Sequence, residues 1–204
     1  MTRGASIRCG NLLAVLGAIG IGLAGCGGSN PLDNPSTVSN PASGGGQALS
    51  YLYFEKCVNP IFFKLLPNPN GAGTNTCGSS GCHLPSGTGG AFRIIANAPV
   101  LELSDPANTP AVIQAGDMYK NYISAQGEVV IGNPSQSRLV DKPLLQNVLH
   151  GGGLIFANAS DPNIKLMQYW ISNPVPPGQD EFSSSTYSMF TPPYPDPNAQ
   201  CNTN

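Results

Sequence analysis

The sequence predicts a mainly α fold: a small helical domain with long glycine- and proline-rich loops and a non-regular C-terminal tail. Three observations lead there. Gly (25) and Pro (20) are abundant among 204 residues while only 10% are charged, which favours short helices and long connections over a regular bundle. Four segments carry apolar residues at helical spacing between helix start and stop signals, whereas only Ala91–Ala96 reads as extended. No internal repeat is present.

The elements follow in chain order. Arg3 and Arg8 form a short positive region, and no acidic residue precedes Asp33. Asn11–Ala24 is an apolar run of 14 residues, short for a permanent membrane helix but suited to the core of an export signal. It ends in Leu23-Ala24-Gly25-Cys26, which resembles the lipobox of bacterial lipoproteins. That resemblance implies a signal peptide over 1–25, cleavage before Cys26 and lipid (diacylglycerol and palmitate) on the Cys26 thiol. The alternatives are an ordinary secreted protein with Cys26 incidental, or a single-pass helix, which the glycines at 17, 20, 22 and 25 disfavour. Gly27 after the cysteine resembles lipoproteins sent to an outer membrane, facing periplasm or exterior. Residues 26–48 are dominated by Gly, Ser, Asn and Pro with Asp33 as the one charge, and read as a lipidated flexible tether.

The folded domain is predicted over 49–173. Its first helix spans Leu49–Leu66 with a kink or break at Pro60, and places Tyr53, Cys57, Ile61 and Leu65 on one stripe. A second runs from Pro110 to Ala125 with Val112, Tyr119, Tyr122 and Ile123 apolar, and a third begins at Pro134–Ser135 and stops before Asn147. The last has Asp161 as N-cap, Pro162 at the first turn, and Ile164, Met167 and Ile171 on one stripe beside Trp170. Residues 174–204, rich in Pro, Ser and Asn, read as a tail over the surface.

Cysteine usage concentrates the chemistry. Cys9 leaves with the signal and Cys26 takes lipid, so Cys57, Cys77, Cys82 and Cys201 remain. Cys77-Gly78-Ser79-Ser80-Gly81-Cys82-His83 contains one of the chain's 2 histidines. Adjacent Cys82 and His83 match the end of a C-x-x-C-H haem attachment, in which two thiols bond the porphyrin and the histidine reaches iron; here four small residues intervene instead of two. The competing reading is structural disulfides, with three possible pairings among four cysteines.

Other residues around this motif resemble the single-haem cytochrome c domains of bacterial envelope proteins, including the planctomycete group. The matching pieces are Tyr53, Phe54, Pro60, Ile61 and Phe62 before the motif, and Gly89, Gly90 and Ile94 after it. Gly132, Asn133, Pro134, Ser137 and Leu139 follow, and then Ile164, Trp170 and Ile171. The resemblance spans roughly residues 50–172. It implies a cytochrome c-like fold, haem c with its iron, thioethers on Cys77 and Cys82, and His83 as the proximal ligand. It leaves Cys57 and Cys201 to pair as a disulfide. His150, on a Gly151–Gly153 turn between the third and last helices, is the favoured distal metal ligand; Met118, Met167 and Met189 are the alternatives. An electron carrier for a redox partner protein, and not a catalyst, follows from that resemblance. The second reading is a disulfide-stapled envelope lipoprotein acting as a non-enzymatic binding or assembly module.

Charge narrows the partners. Once Arg3 and Arg8 leave, 7 basic residues face 11 acidic ones without a basic cluster, a poor match to nucleic acid. The expected membrane contact is through lipid on Cys26.

Overall fold

The computed structural model describes residues 47–204; the signal peptide expected over 1–25, the expected lipid site Cys26 and the expected tether up to residue 46 lie outside the described residues. The domain is mainly helical, with two short two-stranded sheets and no closed barrel among those residues.

Its centre is one continuous helical run. Ser50 caps α1 (Tyr51–Tyr53), its hydroxyl accepting from Tyr53 N–H at 3.1 Å. A π-helical turn follows at Phe54–Val58 and passes into α2 (Asn59–Phe63). The proline predicted to kink the helix sits just after this wider turn, where Asn59 N–H bonds to Phe54 O. A proline lacks the N–H for a regular helical bond and crowds the carbonyl four residues back; the wide turn accommodates both defects. Tyr53, Cys57 and Ile61 are buried as their spacing predicts, but Leu65 is 67% exposed. The helix has already ended: Lys64 is extended, so Leu65 lies beyond the stripe.

The start of this run is tied from every side. Tyr122 donates its hydroxyl to Leu49 O at 2.8 Å, and the Trp170 indole N–H donates to Ser50 O at 2.9 Å. Val175 N–H reaches Ala48 O, and Tyr51 N–H reaches Glu181 O. Phe54 then packs within 5.5 Å of the Tyr122 ring and 5.3 Å of Trp170. Burial pushes the Tyr51, Tyr53 and Tyr122 hydroxyls far above the usual phenol range, so all three remain neutral donors.

The predicted second helix is two pieces, α3 (Pro110–Ala115) and α4 (Asp117–Gln126), separated by extended Gly116. The break resets the helical phase. Ile113, Met118, Tyr122 and Ala125 therefore face the core, while Val112 and Ile123 are exposed. The third is reduced to a 3-10 turn (Pro134–Gln136) and α5 (Arg138–Asp141), followed by turns. The fourth, α6 (Pro162–Ser172), is as its punctuation predicts, with Asp161 accepting from Asn163 N–H and Ile164, Met167, Trp170 and Ile171 buried.

Residues 92–95 run extended against α4 without joining a sheet. Asn121 supplies both halves of a strand-like pairing: its Oδ1 accepts from Ile95 N–H at 2.6 Å and its Nδ2 donates to Ile95 O at 3.0 Å. Antiparallel β1 (Leu66–Pro67) and β2 (Thr74–Asn75) form the first short pair.

Residues 174–204 do more than lie over the surface. A 3-10 helix at Ser184–Met189 leads into β3 (Phe190–Thr191), which pairs antiparallel with β4 (Gln200–Cys201). Met189 and Phe190 are buried, Phe190 lies 5.5 Å from the Tyr53 ring, and Tyr53 donates its hydroxyl to Asn202 O. Cys201 is bonded to Cys57 across 144 residues of sequence, with a Cα–Cα separation of 6.0 Å. The segment has too few apolar residues to fold alone, but a few buried anchors and this bond fasten it to the first helix.

Candidate functional site

The loop from Cys77 to Gly90 is built of successive tight turns. Gly78 N–H bonds to Phe62 O, Cys82 N–H to Ser79 O, and His83 N–H back to Cys77 O at 3.2 Å. Its second limb returns so closely that side chains are excluded. A Cβ on Gly87 would lie 2.0 Å from Cys82 O, and one on Gly89 would lie 2.6 Å from His83 Nδ1. Ile94 N–H then bonds to His83 O, fastening the loop to the extended segment on α4. Sequence inspection singled out Gly89 but not Gly87; only the fold reveals that both serve close backbone approach.

His83 is half-buried, with its Nδ1 3.0 Å from Phe92 O and its ring 4.8 Å from the Phe92 ring. Burial lowers its basicity, opposed by the Phe92 carbonyl and reinforced by His150, Arg93 and Lys142 nearby, so the imidazole is neutral at pH 7. Across from it stands His150, on the loop between α5 and α6. The two rings have centroids 6.1 Å apart and planes within 7° of parallel. His150 Nδ1 lies 2.8 Å from Gly153 O. Each ring therefore donates Nδ1–H to a backbone carbonyl, which leaves Nε2 as the nitrogen outside those bonds.

The His150 loop stores strain. Leu145 (φ 52°) and Asn147 (φ 59°) both occupy the left-handed region, which costs a branched residue such as leucine on the order of 1–2 kcal/mol. Leu149, beside His150, is 91% exposed.

Two cavities share the wall made by Cys77, His83, Lys142 and His150. The inner one, about 40 Å³, is an apolar notch against Phe62, Phe92, Leu139, Phe156 and Met167. The outer one is a cleft of about 510 Å³ between the Cys77–Gly90 loop and the His150 turn. Phe92, Leu139 and Lys142 acquire their place at this site through tertiary packing. Arg138 at the notch is balanced by Glu128 at 3.6 Å.

Cys77 and Cys82 both carry free thiols here. Burial, with Cys82 adding to it, pushes the Cys77 thiol up to about 11. The predicted haem site must be corrected on this structure. Among the described residues, no three His, Cys, Asp or Glu side chains gather into a group that could hold a metal ion. The convergence of Cys77, Cys82, His83 and His150 on a haem c iron, and the electron transfer and metal binding inferred from it, therefore do not stand. A cysteine next to a histidine is a local signal, whereas a metal centre needs donors converging through the tertiary fold. The cysteine chemistry that the described residues display is the Cys57–Cys201 disulfide, together with a core of packed aromatic rings. Met118, Met167 and Met189 are all buried. Met167 lines the inner notch.

Comparison with family models, curated proteins and solved structures finds no match to this chain.

Proposed function

We propose that this chain is a disulfide-stapled, non-enzymatic binding module of the cell envelope, tethered to a bilayer by lipid on Cys26, with its ligand site in the cleft at His83 and His150. The observation that carries the ligand site is the cleft: about 510 Å³ of open space beside an apolar notch, a volume typical of small-molecule sites. Two imidazoles line it, each with Nδ1 donating to a backbone carbonyl and Nε2 outside those bonds, and burial favours the neutral form of His83. That combination suits a small molecule with an apolar body and a hydroxyl or amide donor. Both rings lean on backbone carbonyls, without the carboxylate that orients histidine in a general-base relay, which favours binding over catalysis.

The test is equilibrium binding of 1-naphthol and naphthalene to the full chain. Naphthol is expected to bind about tenfold more tightly, a difference of about 1.4 kcal/mol, because only it donates to an imidazole nitrogen. His150→Ala should erase most of that preference. Absence of saturable binding would overturn the reading, as would protein isolated from its native membrane with a porphyrin covalently attached to Cys77 and Cys82. For the anchor, labelled palmitate should enter the wild-type chain and not Cys26→Ser.

A further inference from the structure

We propose that Cys77 and Cys82 form a reversible dithiol–disulfide pair that exchanges electrons with disulfides on other molecules at the mouth of the cleft. Four cysteines lie among the described residues, and they are used in two different ways. Cys57 is buried and bonded to Cys201 across 144 residues of sequence, a permanent cross-link between remote segments. Cys77 and Cys82 are unbonded, partly exposed and held in one loop.

The geometry of that loop brings them together. His83 N–H bonds to Cys77 O at 3.2 Å and Cys82 N–H bonds to Ser79 O at 3.1 Å, so the chain doubles back between the two cysteines. A disulfide bridges Cα atoms roughly 4.4–6.8 Å apart, and a loop that doubles back in this way is the arrangement from which two cysteines of one turn can reach that separation. Both residues line the outer cleft, so a partner has access to them. Between them lie only Gly78, Ser79, Ser80 and Gly81, which can adjust as the bond closes.

The exchange balances as follows. Cys82, which lines the outer cleft alone, attacks a disulfide R–S–S–R as its thiolate and releases one R–S⁻. Cys77, which also walls the inner notch, then attacks Cys82 Sγ in the mixed disulfide and releases the second. Two protein thiols become one disulfide, the external disulfide becomes two thiols, and two electrons and two protons pass outward. A dithiol donor reverses the sequence. The proposal does not depend on the ligand assigned to the cleft.

The full chain carrying Cys9→Ser and Cys26→Ser, so that only the four cysteines of the folded domain remain, would be purified without reductant and equilibrated across a series of glutathione redox ratios. Acid quenching, unfolding and labelling with a maleimide polymer would then count free thiols outside the Cys57–Cys201 bond. The expected result is a change from two labels to none over the series with no glutathione adduct in the intact mass, whereas Cys77→Ser and Cys82→Ser lose their single label only as a glutathione adduct is gained. Two labels at every ratio would overturn the proposal. So would two labels in place of four after complete reduction of the unfolded chain, because only Cys57 and Cys201 would then react and the other two thiols would be permanently modified. The titration with both Cys77 and Cys82 present stands alone if either variant fails to fold.

Discussion

The side of the domain built around Tyr51–Phe54, Tyr122 and Trp170 and the side built from the Cys77–Gly90 and Pro143–Gly153 loops meet at Phe62. That ring packs 6.1 Å from Phe54 on one side and 5.1 Å from Phe92 on the other. The first side is fastened by long-range devices: Trp170 to Ser50, Tyr122 to Leu49, Tyr53 to Asn202, and the Cys57–Cys201 bond. The second is held mostly by backbone bonds within its own turns, by glycines at close approach, and by a loop with two side-chain-bearing residues at positive φ. Stability is thus concentrated away from the cleft. Local opening takes place where few buried contacts oppose it, so the cleft side is expected to open before the stapled side melts.

The sharpest way to break that contrast is to remove the staple. The double variant Cys57→Ser, Cys201→Ser should lose about 5 kcal/mol of unfolding free energy in urea, the scale for a cross-link that closes more than a hundred residues. Next, Phe54→Ala should cost about 4 kcal/mol, since the ring is fully buried against Tyr122 and Trp170. On the cleft side, Gly89→Ala should cost about 2 kcal/mol through overpacking against His83 Nδ1 and Cys82 O. It should also shift the His83 ring signals in an NMR spectrum.

Glu55 sharpens the comparison from within the stapled side. It is 1% exposed; its Oε1 accepts from Tyr51 Oη and Leu101 N–H, while Oε2 has no partner. Burial pushes this carboxyl up to about 6, against the opposing pull of Leu101, Tyr51 and Lys56, with Glu102 adding to the rise. The folded state therefore holds its proton more tightly than the unfolded chain. The resulting stability is fully present below about pH 4.5 and declines as pH rises through about 6, a loss of about 2 kcal/mol by pH 7. Glu55→Gln should flatten that stretch of the stability–pH curve measured by urea unfolding. The smallest effect belongs to Leu149→Ser, expected within about 0.5 kcal/mol of wild type because the side chain is already in solvent.

Legibility in the sequence followed the range of the interaction. α6 was readable because its cap, first-turn proline and apolar stripe all lie within a dozen residues. The π turn was not readable, since a single extra residue per turn leaves no mark in the sequence until its hydrogen bonds are seen. Gly116 was visible, yet its effect on phase, turning Ile113 inward and Val112 outward, depends on where α4 restarts. At the site, His83 was singled out by its place directly after Cys82 and His150 by the glycine turn that follows it, and the fold brings their rings together. The iron placed between them came from an adjacency of two residues, and adjacency does not assemble a donor set. Glu55 was overlooked although it lies four residues after Tyr51, the spacing that joins their side chains.

Trp170 is the chain's one tryptophan, it has no exposure to solvent, and it sits wholly on the stapled side. The protein therefore carries an optical gauge of its own. Ultraviolet emission excited at the indole band should stay blue-shifted while the cleft side opens and closes, and move to the red only when the Phe54–Tyr122–Trp170 packing is lost. Hydrogen exchange at the Cys77–Gly90 amides, read beside that emission, would separate the motion of one side from the melting of the other without any added label.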